Sequence, residues 1–258
     1  MTGRKVTAAL LLVFSLCSFS LKEKTKLNIV FIGDSITHGA GLKSPDKEAP
    51  PVSACAFLRK QRGVGEVNFS NQGVSGFTTL DFLPATASYN RVITAADIFK
   101  KQPDGQLVFS VMLGTNDSAE KGPHGSPVSP AAYRANLRTI TDHLLEAYPR
   151  CKIVLNYPIW YSPNTYNGAR YLQAGLTRLQ TYFPEIDRLV DAYAASHPGR
   201  VFIGDKQAFE YFKQHFQTDF QAERGHQGTF YLHPNHQGAI ALGRYWGQAI
   251  YKALFGKG

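Results

Sequence analysis

The stretch Ile29-Val-Phe-Ile-Gly-Asp-Ser-Ile-Thr37 carries the strongest chemical signal in the chain. Its apolar, β-branched and aromatic first half, stopped by Gly33, reads as a buried strand. Gly33, Asp34 and Ser35 then form a strand-to-helix turn. A serine hydroxyl there can attack a carbonyl while converging backbone N–H groups receive the oxyanion. With no chemistry at all, Asp34 or Ser35 would cap the helix. Other segments of the chain have to separate the two readings.

Those segments come from the elements that must position Ser35. Strands are expected at about 27–32, 66–70, 106–113, 151–157 and 200–203. The third of these is continuous and apolar, as a buried parallel strand requires. Tyr133, Leu137, Ile140, Leu144 and Tyr148 trace one helix face, which Pro149 stops. A shorter helix is expected at 52–61, and a longer one from Tyr171 to Ser196, interrupted near Pro184. A last helix follows His233-Pro-Asn and ends near Leu254. Strands alternating with helices mean an α/β fold, a parallel sheet covered on both faces. In such sheets ligands bind beyond the carboxyl ends of the strands. Ser35, Ser75-Gly76 and Asn116 each follow a strand end, so three segments point to one rim. That convergence favours chemistry over capping.

Composition sets the frame. The chain has 258 residues, 43% hydrophobic and 18% charged, which suits one folded domain with a full core. Residues 1–20 have the form of a signal peptide: Arg4 and Lys5, an apolar run too short to span a bilayer, then small Ser18 and Ser20. The expectation is an exported protein, periplasmic or secreted, with residues 21–258 as a single domain and no stable membrane insertion. The formal charge of +9 falls to +7 without Arg4 and Lys5. Its basic residues are scattered and often adjoin acids, so no nucleic-acid stripe emerges. Gly39 and Gly41 follow the first strand, but Ser44 stands where a dinucleotide loop needs its third glycine. Cys55 and Cys151 lie in no metal or redox motif; two unpaired thiols is the reading preferred over a disulfide. His233 and His236 are three apart, but no third ligand is evident, so neither a metal nor another cofactor is expected.

Gly33-Asp-Ser-Ile36, Gly76 within Ser-Gly-Phe-Thr-Thr, Gly114-Thr-Asn-Asp117 and His233-Pro-Asn235 resemble the four blocks of the SGNH, or GDSL, hydrolases, in family order. The resemblance spans nearly all of the chain after residue 20. It implies a flavodoxin-like three-layer α/β/α sandwich with a five-stranded parallel sheet, and an esterase or acylhydrolase that needs no metal. The Gly-x-Ser-x-Gly elbow of the other large esterase fold is absent. By that resemblance Ser35 is the nucleophile and His233 the general base. The Ser35 N–H, the Gly76 N–H and the Asn116 amide form the oxyanion hole, and Asp34 and Asp117 brace their loops. The family usually carries Asp three residues before the histidine; here that residue is Phe230. Either a distant carboxylate (Asp205, Asp219 or Glu223) or a backbone carbonyl must then orient His233. A Ser-His dyad is the preferred expectation.

For substrate, the aromatic loop from Tyr157 to Tyr166 follows the fourth strand. Trp160, Tyr161 and Tyr166 are candidate stacking platforms for a sugar, with Asn164 and Asn167 as hydrogen-bond partners. The same rings suit packing of the loop equally well. The resemblance is strongest to exported bacterial carbohydrate acetylesterases, sialate O-acetylesterases among them, so the expected partner is a small-molecule or glycan acyl ester. A lysophospholipase or thioesterase, or a glycan binder without activity, shares the four blocks.

Overall fold

The computed structural model describes residues 24–256 except 103 and 123. The expected signal segment, 1–20, lies outside the described residues. Five strands form one parallel sheet: β1 (Thr25–Gly33), β2 (Val64–Gly73), β3 (Gly105–Met112), β4 (Lys152–Leu155) and β5 (Val201–Ile203), in the order β2-β1-β3-β4-β5. A separate two-stranded antiparallel hairpin joins β6 (Glu223–Gly225) to β7 (Gly228–Phe230). The helices are α1 (Ser35–His38), α2 (Pro45–Glu48), α3 (Pro50–Leu58), α4 (Ala87–Lys100), α5 (Pro130–Ala147), α6 (Leu172–Ser196), α7 (Ala208–Gln214), α8 (Phe216–Asp219) and α9 (His236–Phe255).

The strands form because their residues are apolar on both faces. From Leu27 to Ile32 all but Asn28 are buried hydrophobics. α3 packs on α9 across one face, while α5 packs on α6 across the other. α4 joins the second group through Tyr148, whose hydroxyl donates to Asp97 at 2.8 Å. This is the flavodoxin-like three-layer sandwich, with its topological switch at β1, between β2 and β3. The order in which successive strands are added reverses there, so a crevice opens beyond the carboxyl end of β1.

Element boundaries differ by one to a few residues from the pattern-based expectation, because register is set by pairing partners. β2 runs on through Gly73 since Gly33 pairs with it. Pro184 does not break α6, which continues through it. The hairpin β6–β7 and helices α4, α7 and α8 carry weak periodicity, and sequence alone leaves them out. Cys55, on α3, and Cys151, just before β4, are both buried free thiols. Among the described residues no helix is long and apolar enough to cross a membrane.

Gly33 closes β1 at a place with no room for a side chain. A Cβ there would lie 2.0 Å from Thr37 Oγ1 and 2.7 Å from the Met112 carbonyl oxygen. The second contact is backbone of the neighbouring strand and cannot rotate away. Gly33→Ala is therefore expected to destabilise the fold by roughly 1–3 kcal/mol, read as a lower urea midpoint at an unchanged m-value. An unaltered midpoint would show that the turn tolerates a Cβ.

Candidate active site

Three strand ends stand level at the rim. Gly33 pairs with Gly73 on one side and with Met112 on the other. The loops leaving them carry Ser35, Gly76 and Asn116, which line one open cleft of about 500 Å³ with His233. Ser75, Asn167, Tyr171 and Leu232 complete much of its wall.

Ser35 opens α1, a single turn. Asp34 precedes it in extended conformation and accepts the Ile36 N–H at 2.9 Å; Gly39 ends the turn at φ 89°. Asp34 thus makes the N-cap bond while Ser35 stays free to face the cleft. Gly76 has φ 82°, a left-handed conformation that a residue without Cβ adopts cheaply. Asn116 is fixed through both amide atoms: Nδ2 donates to the Phe77 carbonyl at 2.9 Å, and Oδ1 accepts from the Tyr171 hydroxyl at 2.6 Å.

His233 reaches this rim from the far end of the chain. Its Nε2 lies 2.9 Å from Ser35 Oγ. Its Nδ1 lies 3.0 Å from each carboxylate oxygen of Glu223. The His233 backbone N–H also donates to Glu223 Oε1 at 3.1 Å, so one carboxylate holds both the ring and its main chain. Carboxylate oxygens only accept, so Nδ1 carries the proton and Nε2 presents its lone pair to the serine. The following residues are pinned as well. Gln221 N–H donates to the His233 carbonyl at 2.9 Å, and Asn235 caps α9 by accepting from Gly238 N–H at 3.1 Å.

This corrects the preferred expectation of a dyad oriented by a backbone carbonyl. The carboxylate that faces His233 Nδ1 is that of Glu223, and the hairpin supplies it. Glu223 on β6 pairs directly with Phe230 on β7. The carboxylate thus stands across the ladder from the position where the family carries its Asp, while Phe230 turns into the core at 1% exposure. Gly225-His-Gln-Gly228 between them was the available signal, a glycine-bounded turn that doubles the chain back. The other two candidates are occupied elsewhere. Asp205 precedes α7 and accepts from Gln207 and Ala208 N–H at 3.0 Å each, and Asp219 accepts from the Tyr211 hydroxyl at 2.7 Å.

The proposed sugar platforms are also relocated. Among the described residues, neither Trp160 nor Tyr161 nor Tyr166 lines the cleft. Trp160 is buried against Phe216 and Phe220, with ring centroids 5.5 and 6.1 Å away. The Tyr161 hydroxyl bonds Ser118 Oγ at 2.9 Å, and Tyr166 packs on His226 at 4.4 Å. Large rings lose most area to water, so they wedge the loop onto the body. The loop's polar atoms act as a strut. Ser162 exchanges hydrogen bonds with Tyr231 at 2.9 Å, two residues before His233, and the Thr165 carbonyl accepts from Tyr171 N–H at 3.2 Å. Asn164 binds the carbonyls of Gln227 and Thr229 in the hairpin, while Asn167 does line the cleft. Tyr171 is the functional neighbour that motif reading missed, since nothing in its flanking sequence marks it.

The chain matches the GDSL-like lipase/acylhydrolase family over residues 31–240. It belongs to that family. The hydrolase is accordingly a carboxylic ester hydrolase. No curated protein matches its sequence. Its fold is similar to that of a carbohydrate acetylesterase from Sinorhizobium meliloti, at TM-score 0.59 and 17% identity, covering 89% of this chain and all of that one. It is also similar to a catalytic mutant of an acetylxylan esterase from Geobacillus stearothermophilus, at TM-score 0.56 and 17% identity, over 92% and 98% of the two chains. A two-domain esterase active on acetylated mannans gives TM-score 0.55 at 16% identity, over 91% of this chain and 51% of that one.

Two buried acids brace the hydrolase's cleft from below. Asp117 accepts from the Thr79 N–H at 3.0 Å, joining the Asn116 loop to the Gly76 loop. Burial pushes its carboxyl up to about 7, with the neighbouring Asp34 adding to the rise. Burial likewise lifts Asp34 to about 6, against the opposing pull of the Ile36 N–H. Among the described residues no group of three His, Cys, Asp or Glu side chains is placed to hold a metal ion. His236 opens α9, its Nδ1 3.9 Å from Glu48.

A carboxyl whose folded pKa is raised favours the fold most while protonated. Asp117 therefore contributes stability that is fully present below its ordinary 3.8, falls as pH rises, and levels off above about 7. The unfolding free energy of wild type minus that of Asp117→Asn should decline across that window. A difference independent of pH would show that Asp117 stays ionised throughout.

Proposed function

We propose that this hydrolase removes short acyl groups, acetyl above all, from a carbohydrate through a Ser35-His233-Glu223 acyl-enzyme mechanism. The observation that carries the reading is the unbroken contact Ser35 Oγ–His233 Nε2, 2.9 Å, continued from Nδ1 to Glu223 at 3.0 Å. As Ser35 Oγ attacks the ester carbon, its proton passes to His233 Nε2. The carbonyl oxygen becomes an oxyanion held by the N–H groups of Ser35 and Gly76 and one amide proton of Asn116. Collapse expels the alcohol, which takes the proton back from Nε2. A water then repeats the sequence, with His233 as base, and releases the carboxylic acid. Glu223 holds the Nδ1–H tautomer and stabilises the imidazolium that forms twice per cycle.

The cleft wall supports a small acyl group on a polar alcohol. Ala40, Gly76, Gly122, Gly168 and Ala169 are small, and Ser75 and Asn167 offer hydrogen bonds to hydroxyls. Among the described lining residues Leu232 is the lone large aliphatic one, which gives a long acyl chain little to bury against. Among the described residues the lining holds no Lys or Arg. Neutral acetylated sugars therefore rank ahead of O-acetylated sialic acids. Export of the enzyme, suggested by residues 1–20, accords with a polysaccharide substrate outside the cell.

Acetate release from a panel of acetylated glycans, O-acetylated sialic acid included, tests the reading. Turnover of acetyl esters should exceed that of decanoyl esters, and Ser35→Ala should abolish both. Glu223→Gln should lower kcat by roughly 10³–10⁴ with the fold intact, as loss of a triad acid does elsewhere. Decanoyl preference would instead make this a lipid acylhydrolase. Glycan binding without turnover would make it a lectin-like relative.

A further inference from the structure

Tyr171 makes one side-chain hydrogen bond, donated to Asn116 Oδ1 at 2.6 Å. A great deal of structure is devoted to holding that bond. Tyr171 is 4% exposed, yet it lines the cleft beside Asn116. Its ring lies edge-on to Tyr161 at 5.3 Å. The next residue, Leu172, has φ 52°, a left-handed conformation that a residue with a Cβ seldom adopts and that its surroundings must hold in place. That turn is clamped because the Thr165 carbonyl accepts both the Tyr171 and the Leu172 N–H at 3.2 Å. The residue before it is clamped too. Glu120 N–H donates to the Arg170 carbonyl at 2.7 Å, and Arg170 N–H to the Lys121 carbonyl at 2.6 Å.

We propose that Tyr171 is a positioning residue for ester hydrolysis, acting through Asn116 to strengthen its amide as an oxyanion donor. The inference rests on the reading of Asn116 given above. A proton donated to Oδ1 draws electron density toward oxygen and increases the C–N double-bond character. The Nδ2 protons become more positive, by the cooperativity of linked hydrogen bonds. One of them is spent on the Phe77 carbonyl at 2.9 Å; the other is left for the substrate. Phe77 O only accepts, so it fixes which amide atom is nitrogen, and Tyr171 fixes where the amide plane stands. Burial and the charges of Asp34 and Glu223 hold the phenol protonated well above its ordinary range, so it remains a donor at every working pH.

Tyr171→Phe removes the hydroxyl and keeps the ring. With an aryl acetate as substrate, kcat should fall about 10-fold, less than the loss expected from deleting the donor itself, while KM stays within about twofold. The same change in an Asn116→Ala background should alter kcat by less than about twofold, because the group it acts through is gone. Equal fold-losses in both backgrounds, or full kcat in Tyr171→Phe, overturn the proposal. If Tyr171→Phe does not fold, a difluorotyrosine at 171 supplies the test, since its more acidic phenol preserves shape. Then kcat should gain an alkaline limb that the Asn116→Ala background lacks, and no such limb overturns the proposal. Ser35→Ala run alongside keeps the two readings apart. An active Ser35→Ala defeats the esterase mechanism, whereas an inactive Ser35→Ala with a fully active Tyr171→Phe defeats only the role of Tyr171.

Discussion

The parallel pairing of β1 with β2 on one side and β3 on the other brings three loops to the same height at the rim of the sheet. Gly33 is the pivot of that arrangement. It pairs with Gly73 and Met112 at once, and the space beside it is filled by Thr37 and by the backbone of β3. Strand pairing fixes position to within a hydrogen-bond length, a precision that loops alone do not reach. The serine, the glycine N–H and the asparagine amide inherit their spacing from it. A one-residue slip of either neighbour would move its loop along the strand axis by about 3.3 Å, beyond the reach of a shared oxyanion.

His233 and Glu223 come from another source. No strand of the five-stranded sheet carries them; they belong to the segment between β5 and α9, folded back on itself by the β6–β7 hairpin. Hydrogen bonds within the segment and to the body hold it in place. Asn235 ties α9 to the carbonyls of Thr218 and Phe220, at 2.7 and 3.1 Å, and Gln221 reaches the Ala40 carbonyl at 3.0 Å. The last of these joins the histidine segment to the chain just after α1, which bears the serine. The two halves of the proton path thus rest on one mechanical frame.

Below the cleft, Asp34 and Asp117 are buried charges whose pKa values are pushed toward neutrality. A fold selected for stability alone would not place them there, since burying ionisable groups is costly. Each instead binds loop N–H groups that no apolar side chain could satisfy: Ile36 for Asp34, Thr79 for Asp117. The cost falls where function sets the geometry, which is where such departures from stability concentrate.

Much of this was legible in the chain itself. Largely apolar runs at 27–32 and 106–113 point to buried parallel strands, because a sheet covered on both faces hides both sides of such a run. Gly33-Asp-Ser35, Gly76, Asn116 and His233 are readable because their chemistry is tied to local backbone shape, and local shape follows local sequence. Glu223 is different. Its role depends on a three-residue strand pairing across a turn; the glycines mark the turn, but nothing local says which residues pair across it or which site they face. Trp160 and Tyr161 illustrate the reverse: a ring's composition is the same whether it faces sugar or core, and only packing decides. Sequence alone determined the parallel sheet and its rim, which follow from periodicity, and the four groups that meet there, which follow from the resemblance of four short blocks to those of a known family. The tertiary structure alone decided which carboxylate faces the imidazole, which rings are buried and which phenol braces the amide, because those depend on contacts between residues far apart in the chain.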